Sequence, residues 1–368
     1  MGLFNYKEKN MQRKDTFKKL LGIALTAGAF AGMGSAHASV IEGGTFTPLI
    51  TAGALPDTPA AHVDPNTAAS PFSGVVSINI RYDGQSFICS GALVGKRQVI
   101  SAGHCVDTDG NGTLVDIHKT GSDVRVIFNT GSANGGNAVV TATNVSMNPD
   151  YQGFGHCPAG VNSFCLNDDI SVITLGQDAP AGAKIYKVAN NPMGEGTHII
   201  MAGYGTTGDG TNGFGQGPDF RIKRTGENYM DLFDGNDEAG WTGAAEVWYA
   251  DFDGAGKDTF CTSYGVCTPV LPNNRESGIG GGDSGGPSFV EMYGELMLVA
   301  NNTFSGNFTG QVKGSFGTYF GGILLSSYTD YLQAATGGNI TFVPEPGSFA
   351  LLGMGALMLM GARRRSRK

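Results

Sequence analysis

Charge is scarce in this chain: only 15% of its 368 residues are Asp, Glu, Lys or Arg. Positive charge is the scarcer sign, with 24 Lys and Arg against 32 Asp and Glu. A protein that holds nucleic acid needs a Lys/Arg surplus to neutralise phosphates, so nucleic acid is excluded as a partner class. The ends sharpen this balance. Residues 1–38 hold six basic and two acidic groups, and the tail beyond Pro346 holds five basic ones, which leaves the body with 13 basic and 30 acidic residues, net −17. Such a body repels anionic membranes and polyanions. Long amphipathic helices are also lacking. With Gly at 59 positions and no helical period longer than two or three turns before Tyr328, helix bundles and coiled coils are excluded. There is no CxxC pair and no repeat of fixed period.

What is present begins with two terminal signals. Lys7 to Lys19 is basic, Leu20 to Met33 is an apolar run too short to span a bilayer comfortably, and Ala36-His37-Ala38 has the small-x-small form of a signal-peptidase site. This order predicts a signal peptide, 1–38, cut after Ala38. At the other end, Val343-Pro344-Glu345-Pro346-Gly347 precedes an uncharged stretch, Phe349 to Ala362, and then Arg363-Arg364-Arg365-Ser366-Arg367-Lys368. An apolar segment stopped by positive charge holds its basic end on the cytoplasmic side. The three parts resemble the PEP-CTERM sorting signal of Gram-negative, exopolysaccharide-forming bacteria. That resemblance implies processing by exosortase, a transient transmembrane anchor in the inner membrane, and release to the cell surface or exopolysaccharide layer.

Between the signals the pattern is all-β. Residues 45–73 are rich in Pro, Ala and Thr without a period, and 39–69 is read as a leader. From Val75 onward short β-rich runs follow one another: 75–80, 86–94, 99–102, 124–128, 139–143, 170–175, 198–202, 289–290 and 296–299. Most are bounded by Gly, Asn or Asp, the residues that punctuate hairpins. The polar stretch Gly205 to Gly256 is too long for an ordinary connection and is expected to hold further strands. Tyr328 to Ala335 reads as a last short helix. Six cysteines in an exported chain predict three disulfides, and neighbour pairing would join Cys89 to Cys105, Cys157 to Cys165 and Cys261 to Cys267.

Three segments carry chemistry. Gly280-Gly281-Gly282-Asp283-Ser284-Gly285-Gly286-Pro287 places a serine on a turn that glycines make tight, where its hydroxyl is exposed and backbone N–H groups can face an oxyanion. Val99-Ile100-Ser101-Ala102-Gly103-His104-Cys105 places a histidine at the end of an apolar strand. Asn167-Asp168-Asp169-Ile170-Ser171-Val172-Ile173-Thr174-Leu175 places a carboxylate at the start of another. In the order His, Asp, Ser these motifs resemble the trypsin-like (chymotrypsin-fold) serine proteases. Gly203-Tyr204-Gly205 and Gly317-Thr318-Tyr319 extend the resemblance over residues 70–336. It implies two six-stranded antiparallel β-barrels with a short C-terminal helix. It also implies Ser284 as nucleophile, His104 as general base and then acid, Asp169 as orienting carboxylate, and the N–H groups of Gly282 and Ser284 as oxyanion hole. Asp168 is the rival for the acid. Gly155-His156-Cys157 repeats the histidine motif but follows no apolar strand, so His156 reads as a loop residue.

The departures from that family are specific. Its members free an Ile-Val-Gly-Gly terminus that pairs with the acid before the nucleophile, here Asp283. Only Ile41-Glu42-Gly43-Gly44 is similar, and it has no basic residue before it, so Asp283 pairs either with Ile41 or with an internal partner. The position six before the nucleophile, which floors the primary pocket, is Gly278. Thr303, Phe304 and Ser305 would form the opposite strand and Gly317 the back. None supplies a carboxylate, so cleavage after uncharged residues is expected, with Glu276 the nearby acid that could alter it. The chemistry requires no cofactor. Asp107, Asp109 and Asn111, with Asp116 beyond, resemble the first half of a calcium loop and offer a structural Ca²⁺ site, although His118 stands where a bidentate Glu belongs. The leading reading is a secreted serine endopeptidase acting on a protein or peptide substrate. The competing one is a catalytically silent surface or matrix protein of the same fold.

Overall fold

The computed structural model describes residues 39–40, 50–130, 137–161 and 163–344. The signal peptide, Ile41, and the apolar segment and basic end of the sorting signal lie outside the described residues. Among the described residues no helix is long and apolar enough to cross a membrane.

The first sheet contains β1 (Ser39–Val40), β2 (Val75–Tyr82), β3 (Gln85–Leu93), β4 (Gln98–Ser101), β5 (Asp123–Phe128), β6 (Ala138–Met147) and β7 (Ser171–Leu175). Its order is β1-β3-β2-β5-β6-β7-β4, and β4 also pairs with β3, which closes six strands into a barrel. The β2–β3 hairpin turns at Asp83 and Gly84, both at positive φ (48° and 76°), the two-residue geometry that matches strand twist. Val76, Ile78 and Ile80 of β2 meet Val124, Val126 and Phe128 of β5 and Val140 of β6 in its interior. Period-2 alternation in these strands puts the branched side chains on one face.

The second sheet is built from β8 (Val188–Ala189), β9 (Thr197–Gly203), β12 (Arg224–Met230), β13 (Leu232–Asn236), β14 (Thr242–Asp251), β15 (Pro287–Met292), β16 (Glu295–Gly306), β17 (Tyr319–Leu324) and β18 (Phe342–Val343). A separate hairpin joins β10 (Thr207–Asp209) to β11 (Gly213–Gln216). Strands β10 to β14 are the elements expected within Gly205 to Gly256. The main order is β12-β9-β15-β16-β17-β14-β13, without a β12–β14 ladder, and the second closed barrel that the resemblance implies is not shown. Only Asp231 separates β12 from β13, so one run of chain pairs with β9 through its first half and with β14 through its second. At this junction Asp231 N–H donates to Tyr249 O (2.8 Å), Asp251 N–H donates to Asp231 Oδ2 (3.2 Å) and the Asn228 amide donates to Asp251 O (2.9 Å). Two short helices follow. α1 (Thr259–Tyr264) is capped by Asp258, which accepts from Cys261 N, and α2 (Thr329–Ala335) continues a 3₁₀ turn at Leu325–Tyr328.

The two sheets meet across Tyr204, which is fully buried. Its hydroxyl donates to Val75 O (3.2 Å), its N–H donates to Ser90 Oγ (3.0 Å), and Asn129 Nδ2 donates to its Oη (3.1 Å). All three disulfides are those that neighbour pairing gives: Cys89–Cys105, Cys157–Cys165 and Cys261–Cys267. The segment read as a leader is docked from residue 50 onward. Ile50 is buried, Ala52 N–H donates to Gly208 O (3.0 Å), and His62 Nε2 lies 2.8 Å from Asp57 Oδ2. Lys223 of the second half is fully buried against it, with Nζ 3.0 Å from Asp64 Oδ1 and donating to Phe72 O (2.7 Å). Ala- and Thr-rich chain without a period is not thereby loose; here its polar groups are taken up by fixed partners.

Removing one member of a buried ion pair leaves the other charge uncompensated. Lys223→Met is therefore expected to destabilise the fold by about 3–5 kcal/mol. Adding Asp64→Asn to Lys223→Met should recover part of the loss. Denaturant unfolding of the three proteins checks the sign and the recovery.

Candidate active site

His104 follows the end of β4, where the chain is anchored on both sides. Ser101 Oγ donates to Ser90 O (2.8 Å) and Ser171 Oγ donates to Ala102 O (2.7 Å). The imidazole is then held by a single carboxylate. His104 N–H donates to Asp169 Oδ1 and Nδ1 lies against Asp169 Oδ2, both at 2.7 Å. An ionised carboxylate only accepts, so opposite one Nδ1 carries the hydrogen and Nε2 is left as the basic nitrogen. Asp169 has no exposed surface. A Cβ on Gly103 would stand 3.2 Å from Asp169 Oδ1 and from Ile170 N, a close approach. Phe154 sets its ring edge-on to the imidazole at 5.7 Å.

Asp168 is turned away from this pair. It occupies left-handed backbone (φ 65°), its N–H donates to Tyr328 Oη (3.0 Å) and its Oδ1 accepts from Asn148 Nδ2 (2.9 Å). Burial, then the nearby Glu238 and Glu246, push its carboxyl well above the usual range. Asp169, not Asp168, is the carboxylate on His104. His156 is exposed in a loop, with Nδ1 3.1 Å from Gln152 O, beside the Cys157–Cys165 bridge.

The Ser284 turn is clamped onto the first barrel by β3. Ser90 N–H donates to Ser284 O (2.8 Å) and Ser90 Oγ donates to Gly282 O (2.8 Å). Cys105, the residue after His104 and bridged to Cys89, brings its Sγ to 3.7 Å from the same Ser284 carbonyl. Gly285 (φ 78°) passes so close to β4 that a Cβ there would be 2.1 Å from Ser101 Oγ. The serine and histidine motifs are thus fastened to the same two strands, and Ser284 itself is half-buried. Two peptide planes in the turn have fixed directions. Gly281 O accepts from Thr206 N (2.7 Å) and Asp283 O accepts from Gly286 N (2.8 Å). Because C=O and N–H oppose each other across a trans peptide, the N–H groups of Gly282 and Ser284 point the other way. Neither finds a protein acceptor among the described residues.

Asp283 is fully buried. Its Oδ1 accepts from Gly205 N (2.7 Å) and its Oδ2 from Gly280 N (3.0 Å). Burial raises its carboxyl to about 7 despite these bonds and the field of Arg224. Arg224 acts on Asp283 through its field, without an ion pair among the described residues. It pairs in register with Gly203, whose Cβ direction points at Asp283 Oδ1, so Arg224 projects from the same face. It is itself buried, with Nε donating to Pro59 O (2.5 Å), and burial lowers its guanidinium to about 9.

The remaining expected residues divide. Thr303 and Phe304 are buried and Ser305 is exposed on β16, with Phe304 packed on Tyr249. Gly278 is sealed to the docked segment: its N–H donates to Thr51 Oγ1 (2.8 Å) and Thr51 Oγ1 donates to its O (3.0 Å). Gly317 (φ 87°) accepts from Thr259 Oγ1 (2.9 Å). Glu276 is buried, with Oε2 accepting from Leu271 N (3.0 Å). In the expected calcium loop, Asp107 accepts from the backbone N–H groups of Asp109, Gly110, Gly112 and Thr113 at 2.9–3.2 Å. Asp109 accepts from Asn111 N (2.9 Å) and Asp116 from His118 N (2.9 Å). An ion there would have to displace or share these bonds.

Against known proteins, residues 62–218 match the Trypsin family model and residues 342–368 match that of the PEP-CTERM protein-sorting motif. The first match includes His104 and Asp169 and ends before Ser284. No curated protein matches the chain significantly. Together the two matches support a secreted protein with a protease fold.

The Asp283–Arg224 relation has a pH signature. A buried carboxyl whose pKa is raised on folding contributes stability below its unfolded value that is lost as pH rises through the folded one. Arg224→Met removes the cation that lowers Asp283, so its folded pKa should rise further above 7. The melting-midpoint difference between Arg224→Met and the parent is expected to be smallest near pH 6 and to widen between pH 7 and about 8.5, by at most about 1.4 kcal/mol per unit.

Proposed function

We propose that this protein is a secreted serine endopeptidase in which Ser284, His104 and Asp169 act as one unit. The observation that carries the reading is the His104–Asp169 contact at 2.7 Å, which fixes the imidazole tautomer with Nε2 basic. In the reaction, Ser284 Oγ attacks the scissile carbonyl carbon as His104 Nε2 takes the hydroxyl proton. Charge moves onto the carbonyl oxygen, where the N–H groups of Gly282 and Ser284 stabilise it. The C–N bond breaks as His104 returns the proton to the leaving amine. Water, deprotonated by the same nitrogen, then hydrolyses the acyl-enzyme and frees Ser284. Asp169 remains ionised throughout and stabilises the imidazolium. The second sheet takes the place of the family's second barrel, and Asp283 keeps the Ser284 turn in shape through Gly205 N, Gly280 N and the field of Arg224. Exosortase processing of the C-terminal signal would follow export and leave the protein at the cell surface of a Gram-negative bacterium or in its exopolysaccharide layer.

The decisive experiment exposes the exported protein to a fluorophosphonate probe, which forms a covalent bond only with an activated serine. Labelling is expected at Ser284. Ser284→Ala should abolish it, His104→Ala should lower peptidase kcat/KM by about a thousandfold or more, and Asp169→Asn by about 10⁴-fold, each in protein that still folds. Absence of labelling in folded protein would leave the silent surface protein as the reading.

Specificity follows from the absence of an acid at Gly278, Thr303, Phe304, Ser305 and Gly317, since a buried Lys or Arg side chain needs a counter-charge. A peptide-library profile is expected to show uncharged residues before the cleaved bond. Domination by Arg or Lys would show that another carboxylate reaches the pocket.

A further inference from the structure

The segment that leaves β14, Asp251-Phe252-Asp253-Gly254-Ala255-Gly256-Lys257-Asp258, concentrates acid in a place the peptidase reading does not use. One oxygen from each of Asp251, Asp253 and Asp258 lies within 4.8 Å of the other two. That spacing fits oxygens arranged round one cation at 2.3–2.6 Å. Two of the three are partly engaged. Asp251 Oδ2 accepts from Thr259 N (2.6 Å) and Phe260 N (2.9 Å), and Asp258 Oδ1 accepts from Cys261 N (2.8 Å), which leaves each with a second oxygen. Asp253 is different. Its residue is only 5% exposed, and its Oδ1 is buried without a hydrogen-bond partner.

Behind this trio stand two more buried acids. Asp231 accepts from Thr268 Oγ1 (2.5 Å) and Asp251 N (3.2 Å), and Glu276 accepts from Leu271 N. Among the described residues no Lys, Arg or His forms an ion pair with any of the five. Burial, and then mutual repulsion, drive the carboxyls of Asp231 and Asp253 well upward. Asp253 and Asp258 line a cavity of about 360 Å³ shared with Lys257, Leu271 and Asn273, so an ion could enter. The same segment is hydrogen-bonded to the expected substrate pocket: Phe252 N–H donates to Thr318 O (2.8 Å), and Gly317 N–H donates to Phe252 O (2.7 Å).

We infer that Asp251, Asp253 and Asp258 bind one divalent cation of the hard, oxygen-seeking kind, Ca²⁺, and that this ion braces the segment behind Gly317. All-carboxylate donors with an open side for water suit Ca²⁺, whereas N or S donors would be needed to favour Zn²⁺ or Cu²⁺. The binding stands independently of catalysis; the effect on substrate rests on the peptidase reading.

The test is calorimetric titration of Ca²⁺ into chelator-stripped, full-length chain purified after export, with melting in parallel. One ion per chain is expected, with Kd of order 10⁻⁴ to 10⁻³ M or tighter, and a midpoint raised by about 5 °C when Ca²⁺ is about 100-fold above Kd. Asp253→Asn keeps the shape of the side chain and should weaken binding at least tenfold. Asp258→Asn should do the same and serves if Asp253→Asn does not fold. Asp107→Asn with Asp109→Asn, and separately Asp237→Asn in the other acidic group, Asp168, Asp237 and Glu238, should leave the heat and the shift unchanged. No heat up to about 10 mM Ca²⁺, binding that survives both Asp253→Asn and Asp258→Asn, or loss of binding in either control would overturn the site. If the protein cleaves peptides, Ca²⁺ should lower KM with little change in kcat. Binding without a KM effect would overturn only the link to the pocket, and binding without any peptidase activity would count against the proposed function alone.

Discussion

Asp169 has no contact with solvent, and both of its oxygens are given to one residue, the N–H and Nδ1 of His104. Much of the architecture around the candidate site follows from meeting that demand. The carboxylate must be delivered from β7 and the histidine from β4, so those strands must be neighbours, and they are. The chain passes close to Asp169 at Gly103, where a Cβ would stand 3.2 Å from Oδ1. The backbone on either side is then tied down from the second half of the molecule, where Asn301 Nδ2 donates to Ser101 O and Asp169 O, both at 3.2 Å. A buried charge that is doubly hydrogen-bonded tolerates little displacement, and this gives the imidazole its fixed orientation.

The same principle, applied where partners are fewer, explains the distribution of acidity. The body carries a large excess of carboxylates, yet several of them are buried instead of solvated. Asp283 is satisfied by two N–H groups and by the field of a buried arginine, and Asp64 is satisfied by Lys223. Asp231, Asp251, Asp253 and Glu276 have no such cation, and burial shifts them upward as it does Asp283. Burial without a counter-charge is costly, and a group so placed either neutralises itself or meets a ligand.

Two features separate this molecule from the compact pattern that its motifs resemble. No ladder joins β12 to β14, and the run of chain through β12 and β13 is shared between β9 and β14. Residues 50–73 are part of the fold, with Thr51 bonded to Gly278 and Asp64 to Lys223. The two are connected through space: the docked segment covers the side of the second sheet that includes Arg224 and Gly278, through Val63 beside Arg224 and Thr51 beside Gly278.

The sequence by itself determined the strands, the disulfides and the chemistry-bearing motifs. These are local: alternation of Val and Ile sets a strand, cysteines 6, 8 and 16 residues apart close small loops, and Gly-Asp-Ser-Gly-Gly shapes its own turn. The sharing of the β12–β13 run between β9 and β14, the docking of residues 50–73, and the placing of Arg224 in the surroundings of Asp283 were decided only in three dimensions. Arg224 comes to act on Asp283 through its field because β12 pairs with β9 in a register that sets Arg224 opposite Gly203. Register and long-range packing depend on residues far apart in the chain, and no local pattern records them.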